Sequence, residues 1–321
     1  MLPRFSGRSL LENAVSRADT GLFGGRELEP LLFECFHLPC SAQGELPFGA
    51  LRRLGDGLRG DGRFWFQADP VALYPDQDRL LIFDMVDLDL AEAEAQQLIG
   101  VFNDHFADEG MRLEMGRACR WYLTLESAPK LVTKPLGLAF GRNMDMFLPE
   151  GEDGLQWHRL LNEVQMLFHA LEINTERQMN GKMPVSGLWI SGGGTLPSVH
   201  SAGFDLVIAD EPLALGLART GSVETCSLDA GEALVGCAGE EVLLVDDRLH
   251  RAVWNADPGR WLEQIESFAN RFEAYVANLR RGRFAQIRLY PADGRVYSIT
   301  PGSIRRFWRR RQALSRLITE N

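Results

Sequence analysis

Asn174–Pro197 reads NTERQMNGKMPVSGLWISGGGTLP. It passes from a polar run carrying Asn174, Arg177, Asn180 and Lys182, through the apolar Gly187-Leu188-Trp189-Ile190, into the consecutive glycines Gly192, Gly193 and Gly194. A short apolar run with few polar alternations suits a parallel strand buried on both faces. Glycines that follow such a strand let the backbone turn sharply, and N–H groups exposed there can cradle an anion. The stretch lacks the G-x-x-x-x-G-K-[ST] of a nucleotide loop, and Pro197 stands where G-x-G-x-x-G requires its last glycine. Two readings stay open. One is a tight strand-end turn; the other is an anion site to which Asn174, Arg177, Asn180 and Lys182 bring amide, guanidinium and ammonium donors at the same end of the sheet.

Downstream, DLVIAD and EVLLVDD are two further short apolar strands. They alternate with a helix that Asp210 caps, Pro212 opens and Gly221 closes, and with a long helix from Asp257 to about Arg280. The spacing predicts a mostly parallel α/β sheet with flanking helices, ending in an antiparallel hairpin turned at Asp293-Gly294. Upstream, the helix beginning at Gly154 carries Leu160, Val164, Leu167, Phe168 and Leu171 on one face. Before it come runs at Arg63–Gln67 and Leu80–Asp84, joined irregularly through Pro70 and Pro75, then a helix with Ala91, Ala95, Leu98 and Phe102 on one face, then MRLEM and RWYLTLE. Strand, strand, helix, strand, strand is the order of a smaller α+β region with an antiparallel sheet. The expected division is therefore 1–135 for this α+β region and 136–321 for the α/β region with its C-terminal tail.

The 321 residues are 45% hydrophobic and 24% charged, an ordinary globular composition. No sustained apolar leader opens the chain and no run reaches the ~18 residues of a membrane helix, so the expected location is cytoplasmic. Five cysteines without a C-x-x-C suit reduced, buried thiols. Charge is uneven: residues 280–321 hold eleven Arg against two acidic side chains, which leaves −19 on residues 1–279 of a chain whose net charge is −10. Arg305, Arg306, Arg309, Arg310 and Arg311, with Phe307 and Trp308, could contact nucleic acid. The tail could also lie across the protein's own acidic body, which its apolar residues favour.

For a metal, the only compact option is Asp246 and His250 in DDRLH, a weak pair of ligands. His158 and His169 lie about three turns apart on one helix and cannot share an ion. Asp56-Gly57 and Asp61-Gly62, in a polar glycine-rich stretch, read as turns. No serine elbow is present.

The opening stretch resembles a signature of the archaeal-type cofactor-independent phosphoglycerate mutases of the alkaline phosphatase superfamily, approximately H-P-V-N-x-x-R-x-x-x-G-K-x-P-A-N-x-I-W-L-W-G-x-G. Asn174, Arg177, Gly181, Lys182, Pro184, Trp189, Gly192 and Gly194 stand at matching positions. Over most of its length the chain is also similar to a bacterial family labelled phosphoglycerate mutase or regulatory protein of the RpfE type, through RFWFQADPVALYPDQDRLLIF, GLWISGGGTLP and RRFWRRR. The resemblance implies an alkaline phosphatase-like α/β fold and a phosphometabolite or anion site at Asn174, Arg177, Lys182, Gly192, Gly193 and Gly194. Activity in the mutases needs two metal ions held by Asp and His residues and a Ser or Thr that accepts the phosphoryl group. Here no Asp-Gly follows an N-terminal strand, LLVDDRLHRAVW stands where H-x-E and D-E-x-G-H are required, and Leu171 replaces the motif's histidine. The leading expectation is a catalytically degenerate, regulatory or anion-binding protein without a cofactor. The alternatives are an active Mn- or Zn-dependent mutase or phosphatase, and a nucleic-acid-contacting regulator.

Overall fold

The computed structural model describes residues 8–39, 45–76, 79–83, 88–200, 203–231, 241–254 and 257–313. In chain order the elements are α1 (Arg8–Arg17), β1 (Asp19–Leu22), α2 (Leu28–Cys35), α3 (Phe48–Gly55), β2 (Phe64–Asp76), β3 (Arg79–Phe83), α4 (Glu92–His105), β4 (Arg112–Arg117) and β5 (Arg120–Leu125). There follow α5 (Gly154–His169), α6 (Glu172–Met179), β6 (Gly187–Gly194), β7 (Leu206–Ala209), α7 (Pro212–Thr220), β8 (Glu224–Cys226) and α8 (Leu228–Gly231). The last are β9 (Val242–Val245), α9 (Arg248–Trp254), α10 (Pro258–Arg280), β10 (Ile287–Leu289), β11 (Arg295–Ile299) and α11 (Pro301–Ile304). Among the described residues no helix is long and apolar enough to cross a membrane.

The chain divides into two compact units that are not consecutive halves: residues 37–202 with 209–225, and residues 1–36 with 203–208 and 226–321. The expected boundary at residue 135 falls inside the first of these, because β6 pairs with β2.

In that unit β2 is the organising strand. Its first part pairs with β5, from Phe64 opposite Leu125 to Ala68 opposite Trp121. Its last part pairs with β3, from Ala72 opposite Phe83 to Asp76 opposite Arg79. Pro70 falls between these two ladders, where a missing N–H breaks no bond on that edge, so the expected irregular connection is a continuous strand. Asp84 lies outside the described residues. On its other side β2 runs antiparallel to β6, with Ala68 opposite Ile190 and Val71 opposite Gly187.

This corrects the reading of β6 as a parallel strand. The apolar run reflects burial on both faces, and that burial comes from its neighbours. Leu188 and Ile190 join Phe66, Ala68, Trp157, Val164 and Phe168 in the main core, while Trp189 packs with Val71, Ile82, Leu136 and Ala139 behind it. Every pairing of this sheet with an assigned register is antiparallel. The fold is mixed α/β, with helices and several sheets.

In the other unit α1 and α10 pack Leu11, Val15, Phe272 and Val276 against Tyr297 and Ile299 of β11. β11 is central in a sheet of order β1–β11–β10, and the hairpin turning at Asp293-Gly294 is present. The remaining sheet has the order β8–β7–β9. Asp257 caps α10 through the N–H of Arg260 at 2.9 Å. At α7 the cap is Glu211, not Asp210: its carboxylate accepts from Ala214 N at 2.8 Å, with Pro212 following. Cys35 is buried, and burial first, then Glu34, pushes its thiol up to about 11. Cys119 and Cys226 are half-buried, and Cys40 and Cys237 lie outside the described residues.

Candidate functional site

The polar run Asn174–Met179 is helical. In α6, Ile173, Asn174 and Arg177 are the buried residues. Asn174 donates through Nδ2 to Phe168 O at 2.8 Å and Val185 O at 2.9 Å, and its Oδ1 accepts from Val185 N at 2.8 Å. It therefore clamps the approach to β6 onto the end of α5. Arg177 is 1% exposed. Its Nε donates to Met183 O at 2.9 Å, its Nη1 to Glu94 Oε2 at 2.8 Å, and its Nη2 to Leu88 O. Lys182 pairs with Asp89, Nζ to Oδ2 at 2.8 Å, and also donates to the Asp89 carbonyl. Hydrogen bonds from Lys182 hold the Asp89 carboxyl below the usual range.

The glycines lie at the other end of β6. Val185 and Gly192 are seven residues apart along an extended chain, about 23 Å at the usual rise of a strand. The structure thus does not bring Asn174, Arg177 and Lys182 to the same end of the sheet as Gly192, Gly193 and Gly194. Packing requires the glycines themselves. A Cβ on Gly192, at φ +65°, would lie 2.4 Å from the Phe48 ring, and one on Gly193 would lie 2.2 Å from Phe66.

The backbone there holds a carboxyl group, and that group belongs to the chain. Gly193 N donates to Glu45 Oε1 at 3.2 Å, and Gly192 N donates to Thr133 Oγ1 at 3.0 Å. Thr133 in turn donates to Glu45 through its N–H at 2.8 Å and through its hydroxyl. Burial raises the Glu45 carboxyl above its ordinary value, opposed by the Thr133 and glycine hydrogen bonds.

A second polar cluster lies between α3, α7 and the sheet. Arg52 donates to Glu211 Oε1 at 3.2 Å and to Gln67 Oε1 at 2.8 Å, and Gln67 Nε2 donates to Asp69 Oδ2 at 2.6 Å. Asp56 receives Arg120 through two bonds, 2.7 and 2.6 Å, and the Tyr122 hydroxyl at 2.6 Å. Burial pushes Asp56 up, but Arg120 and Tyr122 outweigh it and hold the carboxyl below its ordinary value. Asp69 is 1% exposed, and its Oδ1 is buried with no hydrogen-bond partner. Burial raises it to about 7 against the pull of Arg120 and Arg52. With Asp69 protonated, two guanidiniums face two carboxylates, which is the state an enclosed cluster favours.

Sequence reasoning missed this cluster. Asp56 and Asp61 do stand at turns, but the Asp56 carboxylate turns inward. Gln67 and Asp69 alternate with Phe66 and Ala68 as residues of a solvent face would, and only the covering helices bury them. Glu45 sits in a loop that carries no periodic signal.

In the other unit both oxygens of Asp246 accept from arginines, Arg248 at 2.7 and 2.9 Å and Arg271 at 2.5 Å. Asp246 therefore anchors two cations, and His250 follows it on α9. Among the described residues no three His, Cys, Asp or Glu side chains converge as a metal site. In the tail, Arg306 pairs with Asp19, Arg309 donates to Ala18 O at 2.7 Å, and Arg311 meets Glu12 at 3.2 Å. Phe284, Ile287, Leu289 and Ile304 pack on the core of this unit. Phe307 and Trp308 are 82% and 66% exposed.

Comparison with known proteins gives low similarity. No protein-family model matches the sequence, and no curated protein matches it. The structure is similar to the cofactor-independent phosphoglycerate mutase of Thermoplasma acidophilum at TM-score 0.46 and 14% identity, over 97% of this chain and 86% of that one. It is similar to a Pyrococcus horikoshii protein at TM-score 0.49 and 12% identity, over 85% and 73%.

Proposed function

We propose that the protein carries a phosphoglycerate mutase-like signature in the service of a binding or regulatory role, without turning over a phosphorylated substrate. The observation that supports this is what the signature's donors hold. Arg177 is engaged by Met183 O, Glu94 and Leu88 O, and the glycine turn is engaged by Glu45 and Thr133. A substrate phosphate would have to displace a carboxylate from the turn, and Arg177 and Lys182 are tied down at the far end of β6. Phosphoryl transfer depends on positioned charge at the transferring oxygens, so donors committed elsewhere give little catalysis. The test is a mutase assay with 3-phosphoglycerate, with and without Mn or Zn. The expected result is no turnover above the protein-free control. Metal-dependent turnover that tracks the protein through purification would overturn the reading.

A second reading rests on the exposed Phe307 and Trp308, whose ring centroids lie 5.3 Å apart, beside exposed Arg305 and Arg310. Stacking rings beside exposed cations suit single-stranded nucleic acid. Oligonucleotide binding that falls steeply with salt and is lost in Trp308→Ala is its expected outcome. Binding absent at low salt would reject it.

A further inference from the structure

The segment that follows α11 is pinned to its own unit on one side and shows the other side to solvent. Arg306 pairs with Asp19, Arg309 donates to Ala18 O at 2.7 Å, Arg311 meets Glu12 at 3.2 Å, and Gln312 N donates to Ser16 Oγ at 2.9 Å. These contacts hold the segment along α1 and the start of β1. Between them Phe307 and Trp308 stand outward, with exposed Arg305 and Arg310 on either side. Neither of these two arginines makes an ion pair among the described residues. Three arginines of this segment are thus used on the protein's own surface while its two largest apolar side chains face water. That reverses the usual assignment, and two adjacent rings held outward on a fixed segment call for a partner.

We infer that this surface docks on an anionic lipid surface, with Phe307 and Trp308 entering the headgroup layer and Arg305 and Arg310 meeting the lipid phosphates. Tryptophan and phenylalanine with arginines beside them are the residues that suit the boundary between water and lipid. One apolar element and one basic element together make the pair of signals that peripheral binding requires. The two rings are set at 82° to each other, so they present an edge and a face rather than parallel platforms for successive bases. The chain's net charge of −10 also opposes a polyanion held by charge alone, so the apolar contribution that lipid offers is needed. The same residues carry the nucleic-acid reading above, and the test separates the two. The signature around Asn174 lies in the other unit, so turnover in the mutase assay would overturn the leading reading and leave this inference standing.

The experiment is sedimentation of the full chain with vesicles of phosphatidylcholine alone and of phosphatidylcholine mixed with phosphatidylglycerol, beside a gel-shift titration with single-stranded oligo-dT in the same low-salt buffer. The anionic vesicles are expected to bind about tenfold or more tightly than the neutral ones, an advantage lost at high salt. Trp308→Ala is expected to weaken vesicle binding about tenfold, and Arg310→Gln about fivefold, the effect of one cation near an anionic surface. Both positions are exposed, and retained folding is checked by circular dichroism. No sedimentation with anionic vesicles, equal sedimentation with neutral ones, or undiminished binding in Trp308→Ala would each overturn the inference. Oligo-dT binding through Trp308 without vesicle binding would overturn it in favour of nucleic acid.

Discussion

Asp69 is the residue whose chemistry departs furthest from its sequence context. An ordinary aspartate ionises near 3.8, and burial carries this one to about 7. Between those values the folded chain keeps a proton that the unfolded chain has lost. Stability from this group is therefore fully present below pH 4 and is lost as pH rises through 7, by at most about 4 kcal/mol. Asp69→Asn keeps a neutral group in place, so its urea midpoint should change less between pH 5 and pH 8 than that of the wild type. It should also lie at or above the wild-type midpoint at pH 8. Parallel profiles would show that Asp69 is ionised throughout. Glu45 is raised by burial as well, but its carboxyl has donors for partners, Thr133 and Gly193. Glu45→Ala leaves the N–H groups of Thr133 and Gly193 without their acceptor and should cost about 3 kcal/mol in urea unfolding. Neither role was legible in the sequence: the partners of Glu45 lie 88 and 148 residues away and leave no local pattern, and Asp69, beside its partner Gln67, alternates with apolar residues as a solvent-facing residue would.

Elements were more legible than partners. The apolar faces of α4 and α5 follow the 3.6-residue period, and Ala95, Leu98, Phe102, Val164 and Phe168 are buried as that period requires. The strand character of β6 was legible as well, but its direction was not, because two-sided burial looks the same in parallel and antiparallel sheets. The polar segment Glu172–Met179 is helical through tertiary burial of three residues, which periodicity over so short a run could not reveal. Helix contacts give a paired prediction. α7 crosses α3 so closely that a Cβ on Gly216 would stand 1.9 Å from Leu51 O, whereas one on Gly100 in α4 would meet nothing within 4 Å. Gly216→Ala should therefore destabilise by about 3 kcal/mol or more, while Gly100→Ala should stabilise by about 0.5–1 kcal/mol. Thermal unfolding of the two variants checks this, and equal shifts would contradict the close crossing.

At the scale of the whole molecule, the division into units cuts across the chain order that the sequence suggested. Strand order along the chain suggested two consecutive regions, but β6 returns to β2, and residues 1–36 join residues 226–321. The charge asymmetry was legible, and Arg306, Arg309 and Arg311 are docked on Asp19, Ala18 and Glu12 within their own unit. The signature around Asn174 was legible as residues, while its use was not, since a guanidinium that binds a phosphate and one that binds carbonyls look alike in sequence. The central claim is that this signature holds the chain to itself. The most direct test is urea unfolding of Arg177→Ala beside the wild type. Removing a fully buried cation takes its hydrogen bonds from Leu88 O and Met183 O and its charge from Glu94, which keeps only the Ala91 N–H, so the account predicts a loss of about 3–5 kcal/mol. A variant that unfolds at the wild-type midpoint would show that Arg177 is not needed for the fold and would contradict the account.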